Sequence, residues 1–228
     1  MKILVLTGAG LSAESGLPTF RGMGGLWNGL RVEDLATSDA LARNPGLVLD
    51  FYNTRRQQIA KAHPNAAHVA LARPQFATKH KVIVATQNID DLHERAGSSK
   101  VSHIHGSIFE AKCNACWRSW SASYDLDPED TCPHCDEPAV RPNIVLFGEA
   151  PKETRMIEQA IKKADLFVAI GTSGTVHPAA DWVRQAKVSG VRTLEINTAK
   201  TIVSEFFDET LRGAASEVVP RWVASMIG

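Results

Sequence analysis

Six short apolar runs, each ending in a polar or glycine-bearing turn, set the rhythm of this chain. They are KILVL at 2–6, KVIVAT at 81–86, VSHIH at 101–105, NIVLF at 143–147, LFVAI at 166–170 and TLEIN at 193–197. Such brief runs read as strands buried in a parallel sheet. Between them the composition turns helical at 31–61, 65–72, 152–164 and 178–189, and Asn44-Pro45-Gly46 breaks the first stretch into two helices. Strands alternating with helices at this interval predict a doubly wound, Rossmann-like α/β fold with both sheet faces covered and right-handed crossovers. The helices at 31–61 come before the second strand, so the order is not a simple Rossmann one. No internal repeat or low-complexity tract is evident.

The residues that end these runs carry the candidate chemistry. The first run leads into TGAGLSAESGLPTFRG at 7–22, which places Gly8, Gly10 and Ala13 in a G-x-G-x-x-[GA] pattern at a strand-to-helix turn. Glycine there admits positive φ and close approach to a pyrophosphate, and the following helix N-terminus favours an anion. A dehydrogenase fingerprint needs an acidic residue closing a second strand about 20 positions on. Here Glu33 and Asp34 fall in RVEDLATSDA, which has no strand character, while Glu14, Thr19, Phe20 and Arg21 crowd into the loop. In the MGGLW segment that follows, Trp27 reads either as a lid over a ligand or as a plain hydrophobic anchor. The second run opens into Gln87-Asn88-Ile89-Asp90-Asp91, where Asn88 or Asp90 also suits the cap of a helix in DDLHERAG. The fifth run leads into Gly171-Thr172-Ser173-Gly174 and the sixth ends at Asn197-Thr198. All four polar clusters lie at carboxyl ends of expected parallel strands, the edge at which open α/β sheets bind nucleotides. Of the eight histidines, His105 ends a strand on that side, and His103 on the same strand face remains a second candidate.

From residue 113 the texture becomes short, polar and turn-rich. Cys113 and Cys116, then 15 residues, then Cys132 and Cys135 make two C-x-x-C pairs that account for all four cysteines. This is zinc-ribbon spacing, and four thiolates close a tetrahedral site with no open position, so its role is structural. The ribbon interrupts the α/β unit, giving a Rossmann-like domain from 1–30, 62–108 and 141–228 and a small lobe from 31–61 and 109–140. Lys and Arg balance Asp and Glu at 25 each, which argues against a global field for nucleic acid. No apolar run reaches membrane-spanning length and residues 1–6 are too short for a secretory signal, so the expectation is a cytoplasmic protein with reduced cysteines.

GAGLSAESGLPTFRG, TQNIDDLHERAG, HGS after a strand, the two C-x-x-C pairs, FGE, GTSGTVHPAA and the late EIN occur in an order that closely resembles the sirtuins, the NAD-dependent protein-lysine deacylases. The resemblance covers nearly the whole chain. It implies His105 as catalytic base, NAD as co-substrate and one structural Zn2+. It also implies that Gly8, Ala9, Gly10, Ser12, Ala13, Glu14, Thr19, Phe20, Arg21, Trp27, Gln87, Asn88, Ile89, Asp90, Gly171, Thr172, Ser173, Asn197 and Thr198 bind NAD, with Ala215 near the adenine. An acyl-lysine peptide would add as a strand between Val145, Phe147, Gly148 and Glu149 on one side and Gly174, Thr175 and Val176 on the other. In the family reaction the acyl oxygen attacks the nicotinamide ribose, nicotinamide leaves, and the histidine deprotonates a ribose hydroxyl on the way to lysine and O-acyl-ADP-ribose.

Tyr52 and Arg55 in FYNTRRQQ are three apart on an expected helix. Spacing alone favours an exposed arginine beside a half-buried tyrosine. The pair also resembles the Y-x-x-R of the mitochondrial desuccinylase and its bacterial relatives, which implies a grip on the carboxylate of succinyl- or malonyl-lysine. Leu146 replaces a common aromatic before FGE, and Ala199 departs from the acidic-acyl subgroup. A zinc-containing NAD oxidoreductase, a mono-ADP-ribosyltransferase and a zinc-ribbon binding module are the competing functions, and a monomer is expected.

Overall fold

The computed structural model describes residues 1–19, 31–76 and 80–227. Its strands are β1 (Lys2–Thr7), β2 (Lys81–Thr86), β3 (Val101–His103), β4 (Gly106–Cys113), β5 (Ser119–Ser121), β6 (Val140–Ile144), β7 (Leu166–Ile170), β8 (Arg192–Asn197) and β9 (Glu209–Arg212). The helices are α1 (Ala9–Ser12), α2 (Val32–Leu35), α3 (Ser38–Arg43), α4 (Pro45–Lys61), α5 (Ala66–Phe76), α6 (Leu92–Arg95), α7 (Thr154–Ile161), α8 (Trp182–Val188) and α9 (Ala215–Ile227).

Six strands form one sheet in the order β3-β2-β1-β7-β8-β9, every neighbour parallel. Counting only these strands, the order is that of a Rossmann sheet, and the chain reverses direction across the sheet between β1 and β7. Successive residues of β1 point to opposite faces. Ile3 and Val5 join α5 and α9 in one core, whereas Leu4 and Leu6 join α7, α8 and Phe167 in the other. Val5, Val168 and Trp182 are fully buried, each removing apolar surface worth about 25 cal/mol per Å2.

The remaining three strands form an antiparallel sheet in the order β5-β4-β6. Here the sequence expectation needs correction. The apolar run at 143–147 supplies the end of β6, which pairs antiparallel with β4 rather than entering the parallel sheet. Pro142 lacks an N–H and sits in this edge strand, where a missing donor is tolerated. Helix α4 packs on β4 and β6. Leu49 of α4 meets Ala111, Ala122 and Leu126, while Val48, Tyr52 and Ile59 meet Leu92, Ile108 and Ile144. The break at Asn44 is as expected, its side chain accepting from Leu47 N–H at the start of α4. A further break at Thr37, whose hydroxyl caps α3, separates α2 from α3. No helix among the described residues is long and apolar enough to cross a membrane.

Candidate functional site

The two glycine turns at the carboxyl ends of β1 and β7 interlock. Gly8 N–H donates to Ile170 O at 3.0 Å and Gly10 N–H to Gly171 O at 2.9 Å. A Cβ on Gly8 would lie 2.8 Å from Gly171 O, one on Gly10 would lie 2.8 Å from Gly171 Cα, and one on Gly171 would lie 2.5 Å from Leu11 N. Gly171 also has φ of +62°. Gly8 by contrast is extended, with φ of −130°, so its requirement is backbone-to-backbone approach rather than the positive φ expected from sequence.

Above this junction opens a cleft of about 560 Å3. Gly8, Ala9, Gly10, Thr19, Gln87, Asn88, Ile89, His105, Gly171, Thr172, Ser173, Asn197 and Thr198 line it, with Tyr52, Val145, Phe147, Gly148, Glu149 and Val176. Ser12, Ala13, Glu14, Asp90, Arg55, Gly174, Thr175 and Ala215 are not among its lining residues. Phe20, Arg21 and Trp27 lie outside the described residues. Sequence reasoning missed Ala36, Ile144, Pro151, His177, Lys200 and Thr201, which complete the walls together with Leu146 and Ala199, noted in the sequence only as departures. Only His177 carried a signal, through its place in the GTSGTVHPAA segment. Its Nδ1 donates to Asp181 at 2.7 Å.

His105 and His103 separate by their partners. His105 Nδ1 faces the carbonyl of Gln87 at 3.0 Å, and because a carbonyl only accepts, that nitrogen carries the proton. The lone pair is thus on Nε2, at the cleft wall. Burial pushes the His105 pKa down, opposed by the bond to Gln87, so the ring is neutral at physiological pH. Both nitrogens of His103 are engaged, Nδ1 with Asn88 O at 3.2 Å and Nε2 with Glu94 at 2.9 Å.

Asn88 donates through Nδ2 to Gly8 O at 3.2 Å and to Ser12 Oγ at 3.0 Å, which leaves its Oδ1 as an acceptor beside the cleft. Asp90 is 4 % exposed. Its carboxylate accepts from Leu92 N–H at 3.2 Å and Ser12 Oγ at 3.0 Å, so Asp90 holds the first amide of α6, whose N-cap residue is Asp91, as well as underlying the floor. Burial raises its pKa against those two bonds. Glu14 turns away from the cleft and accepts from the N–H and hydroxyl of Ser216 at the start of α9, and the neighbouring Ala215 packs in the core. Asn197 donates to Thr172 O at 2.8 Å, tying the ends of β7 and β8.

On the opposite wall Glu149 is held by Arg141, which donates to both carboxylate oxygens at 2.8 Å. Glu149 also accepts from Leu146 N–H at 2.9 Å, so it shapes the 145–149 loop. The amides of Val145, Leu146, Phe147 and Glu149 are all satisfied within the chain. Arg141 carried no sequence signal.

Tyr52 and Arg55 are both 6 % exposed, which corrects the spacing-based expectation of an exposed arginine. Burial drives the Tyr52 hydroxyl pKa up and the Arg55 pKa down. Arg55 donates to the neutral Gln58 Oε1 at 2.7 Å, and among the described residues it has no salt bridge.

The four cysteine sulfurs lie within 4.8 Å of one another. Cys113 and Cys135, and likewise Cys116 and Cys132, are 3.7 Å apart. A tetrahedron with Zn–S bonds of about 2.3 Å has S···S edges of about 3.8 Å, so the set fits zinc. The two knuckles repeat one geometry. Cys113 N–H bonds Arg118 O while Trp117 N–H bonds Cys113 O, and Cys132 with Glu137 and Asp136 does the same. Trp117 and Asp136 both take positive φ. His134 is not part of the cluster.

Known proteins similar to this chain in sequence and shape agree with one another. A protein named NAD-dependent protein deacylase from Salmonella typhimurium is 48% identical over 97% of this chain and 82% of its own length. One of the same name from Caulobacter vibrioides is 46% identical over 100% of this chain and 97% of its own. A solved complex of a Sir2 homolog with NAD is 39% identical, with a TM-score of 0.90, covering 100% of this chain and 91% of that one. A Sir2 structure with a p53 peptide and NAD+ is 30% identical, with a TM-score of 0.83, covering 98% and 92%. The Sir2 family model matches residues 8–178, the span from the interlocked glycine turns through the cysteine cluster to the far wall of the cleft, and the chain belongs to that family.

Proposed function

We propose that this protein is an NAD-dependent protein-lysine deacylase that removes acetyl and acidic acyl groups, with an acyl-lysine peptide and NAD as its substrates. The observation that carries the reading is one cleft that joins the interlocked glycine turns, a neutral His105 with a bare Nε2, and the apolar wall of Val145 and Phe147. NAD supplies an electrophilic ribose carbon and the nicotinamide leaving group. Asn88 Oδ1 and the buried Asp90 carboxylate present negative potential to the positive charge that develops as nicotinamide leaves, a preorganised electrostatic contribution. His105 Nε2 takes a proton from a ribose hydroxyl, which a base neutral near pH 7 does well. Since most amides of the 145–149 loop are satisfied, an extended substrate would pair there through loop carbonyls and Gly148 N–H. The four cysteines would hold one Zn2+, which fixes the small lobe and takes no part in the chemistry. An oxidoreductase is disfavoured by the closed four-cysteine set and by Gln87, rather than a carboxylate, directly after the second strand β2.

For the acyl group, Tyr52 at the cleft and Arg55 one turn along α4 support acidic acyl chains, with Arg55 exchanging Gln58 for the acyl carboxylate. The test compares one peptide carrying acetyl-lysine or succinyl-lysine, with and without NAD, following peptide mass and nicotinamide. Arg55→Met should lower desuccinylation by more than about tenfold, the scale of one charge-assisted bidentate contact, and change deacetylation little. Equal loss of both would sink the clamp, and no nicotinamide release from either peptide would sink the deacylase.

A further inference from the structure

Beneath the cleft floor lies a sealed group of polar side chains. Thr7, Ser12, His68 and His93 are at most 2 % exposed, and the two imidazoles stack edge to face with centroids 5.1 Å apart. His68 of α5 has two polar neighbours. Its Nδ1 faces Asn65 N–H at 3.3 Å and its Nε2 faces Ser12 Oγ at 3.5 Å. A backbone amide only donates, so Nδ1 holds the lone pair and the single proton of the neutral ring sits on Nε2. Ser12 Oγ then receives two donors, His68 Nε2–H and Asn88 Nδ2–H, and its one proton has a single remaining direction, toward Asp90 Oδ2.

We infer that His68 is a positioning residue of the reaction: by donating to Ser12 it fixes the serine proton on Asp90 and keeps that carboxylate ionised under the cleft. The same helix is anchored to this corner through Asn65, which donates to Leu11 O at 2.8 Å and Ser15 Oγ at 3.1 Å. Without the His68 donor Ser12 Oγ is held by Asn88 alone, and the Ser12 bond that supports the Asp90 charge against its burial loses the polarisation lent by the second donor. Burial already raises the Asp90 pKa, so the loss moves it further toward neutrality. The charged groups around Asp90 are Arg55 from α4, His103 from β3 and the adjacent Asp91, and none of them changes in this argument.

The inference rests on the deacylase reading for its activity readout but not for its spectroscopic one. Nitrogen-15 NMR of the ring should give His68 as the Nε2–H tautomer, and an Nδ1–H tautomer would overturn the inference whatever the enzyme does. In NAD-dependent nicotinamide release, His68→Leu should lower kcat by roughly tenfold at neutral pH, as expected for one hydrogen bond to a charged group, with KM for the peptide unchanged. The Asp90 carboxyl, followed by carbon-13 NMR apart from the His105 titration that also shapes the acid limb, should titrate higher, and the acid limb should move up with it. His68→Gln offers an amide N–H to Ser12 and an oxygen to Asn65, and should restore both. Ser12→Ala should shift the acid limb in the same direction, and adding His68→Leu to it should shift nothing more. An unmoved limb in a folded His68→Leu, or equal impairment by Gln and Leu, refutes the positioning role. If His68→Leu does not fold, the tautomer and the Ser12→Ala and His68→Gln profiles still decide. A wild type that releases no nicotinamide refutes the deacylase reading and leaves the tautomer to decide the role of His68.

Discussion

Acid should unfold this protein through two histidines that never meet water. His68 and His93 are fully buried, and burial depresses their pKa values to about 4 and about 3. The unfolded chain binds protons on both near the ordinary value of about 6.5, the folded chain does not, and stability therefore falls as pH drops below that value. Taken from pH 7 to pH 5, each ring costs about 2 kcal/mol, since about 1.5 units of unmet protonation at about 1.36 kcal/mol per unit is lost to the unfolded state. Together they remove about 4 kcal/mol from a fold whose total is typically about 5–15 kcal/mol. His105 is depressed too and adds in the same direction. His103 and Asp90 oppose the trend, because their raised folded-state values make protonation stabilising across this window. The assay is urea unfolding at pH 7 and pH 5 for the wild type, His68→Gln and His93→Gln. All three keep the cysteine cluster, so acid loss of zinc cancels in the comparison. Each variant should show about 2 kcal/mol less acid destabilisation than the wild type, whatever its stability at pH 7. Equal pH dependence in all three, or either ring titrating near 6.5 in the folded protein by NMR, would refute the reasoning.

Two further substitutions probe the frame. Cys132→Ser should leave less than one zinc per chain by metal analysis and lower the thermal midpoint, because structural zinc contributes folding free energy; full zinc content with an unchanged midpoint would contradict a structural metal. Gly171→Ala should destabilise by more than about 2 kcal/mol, since the left-handed conformation alone costs about 1–2 kcal/mol and the new methyl would lie against immobile backbone. An unfolding midpoint within error of wild type would show that the two turns are not interlocked in solution.

Five of the six apolar runs became parallel strands because a strand buried on both faces has little choice but to be apolar throughout. The elements that escaped notice are those whose environment differs. β9 has four largely exposed residues at the sheet edge and no apolar run. α9 carries Pro220 in its interior, which reads as a break. The run at 143–147 was apolar enough for the large sheet, and its exclusion follows from tertiary pairing with β4, which periodicity does not encode. The site was legible as a set of loops at one sheet edge. What stayed illegible was which polar residues face the cleft and which face one another. Ser12, Asp90 and Glu14 look like ligand contacts in sequence, yet their polar atoms are engaged by Asp90 and Asn88, by Ser12 and Leu92, and by Ser216. Such contacts depend on where helices α5, α6 and α9 dock, and no local pattern reports that.

The proposed acyl preference follows from where the fold leaves a charge without a salt bridge among the described residues. Glu149 at the cleft is neutralised by Arg141 through two bonds, and Asp90 is held by two hydrogen bonds beneath the floor. Arg55 differs, since it is buried one turn along α4 from Tyr52 of the cleft wall, with a neutral amide as its hydrogen-bond acceptor and the Asp90 charge near but not bonded to it. A guanidinium keeps its charge under such burial where a lysine would release its proton. The cost of stripping water from Arg55 is thus incurred on folding, before any substrate arrives. An acyl carboxylate that displaces Gln58 gains a charge-assisted bond without that cost, whereas an acetyl group leaves Arg55 as it was. The difference in affinity between the two acyl groups would then come chiefly from desolvation of the substrate carboxylate weighed against one preformed cation. A lysine at this position would lose both the fork and the certainty of charge, so Arg55→Lys should behave more like Arg55→Met than like the wild type.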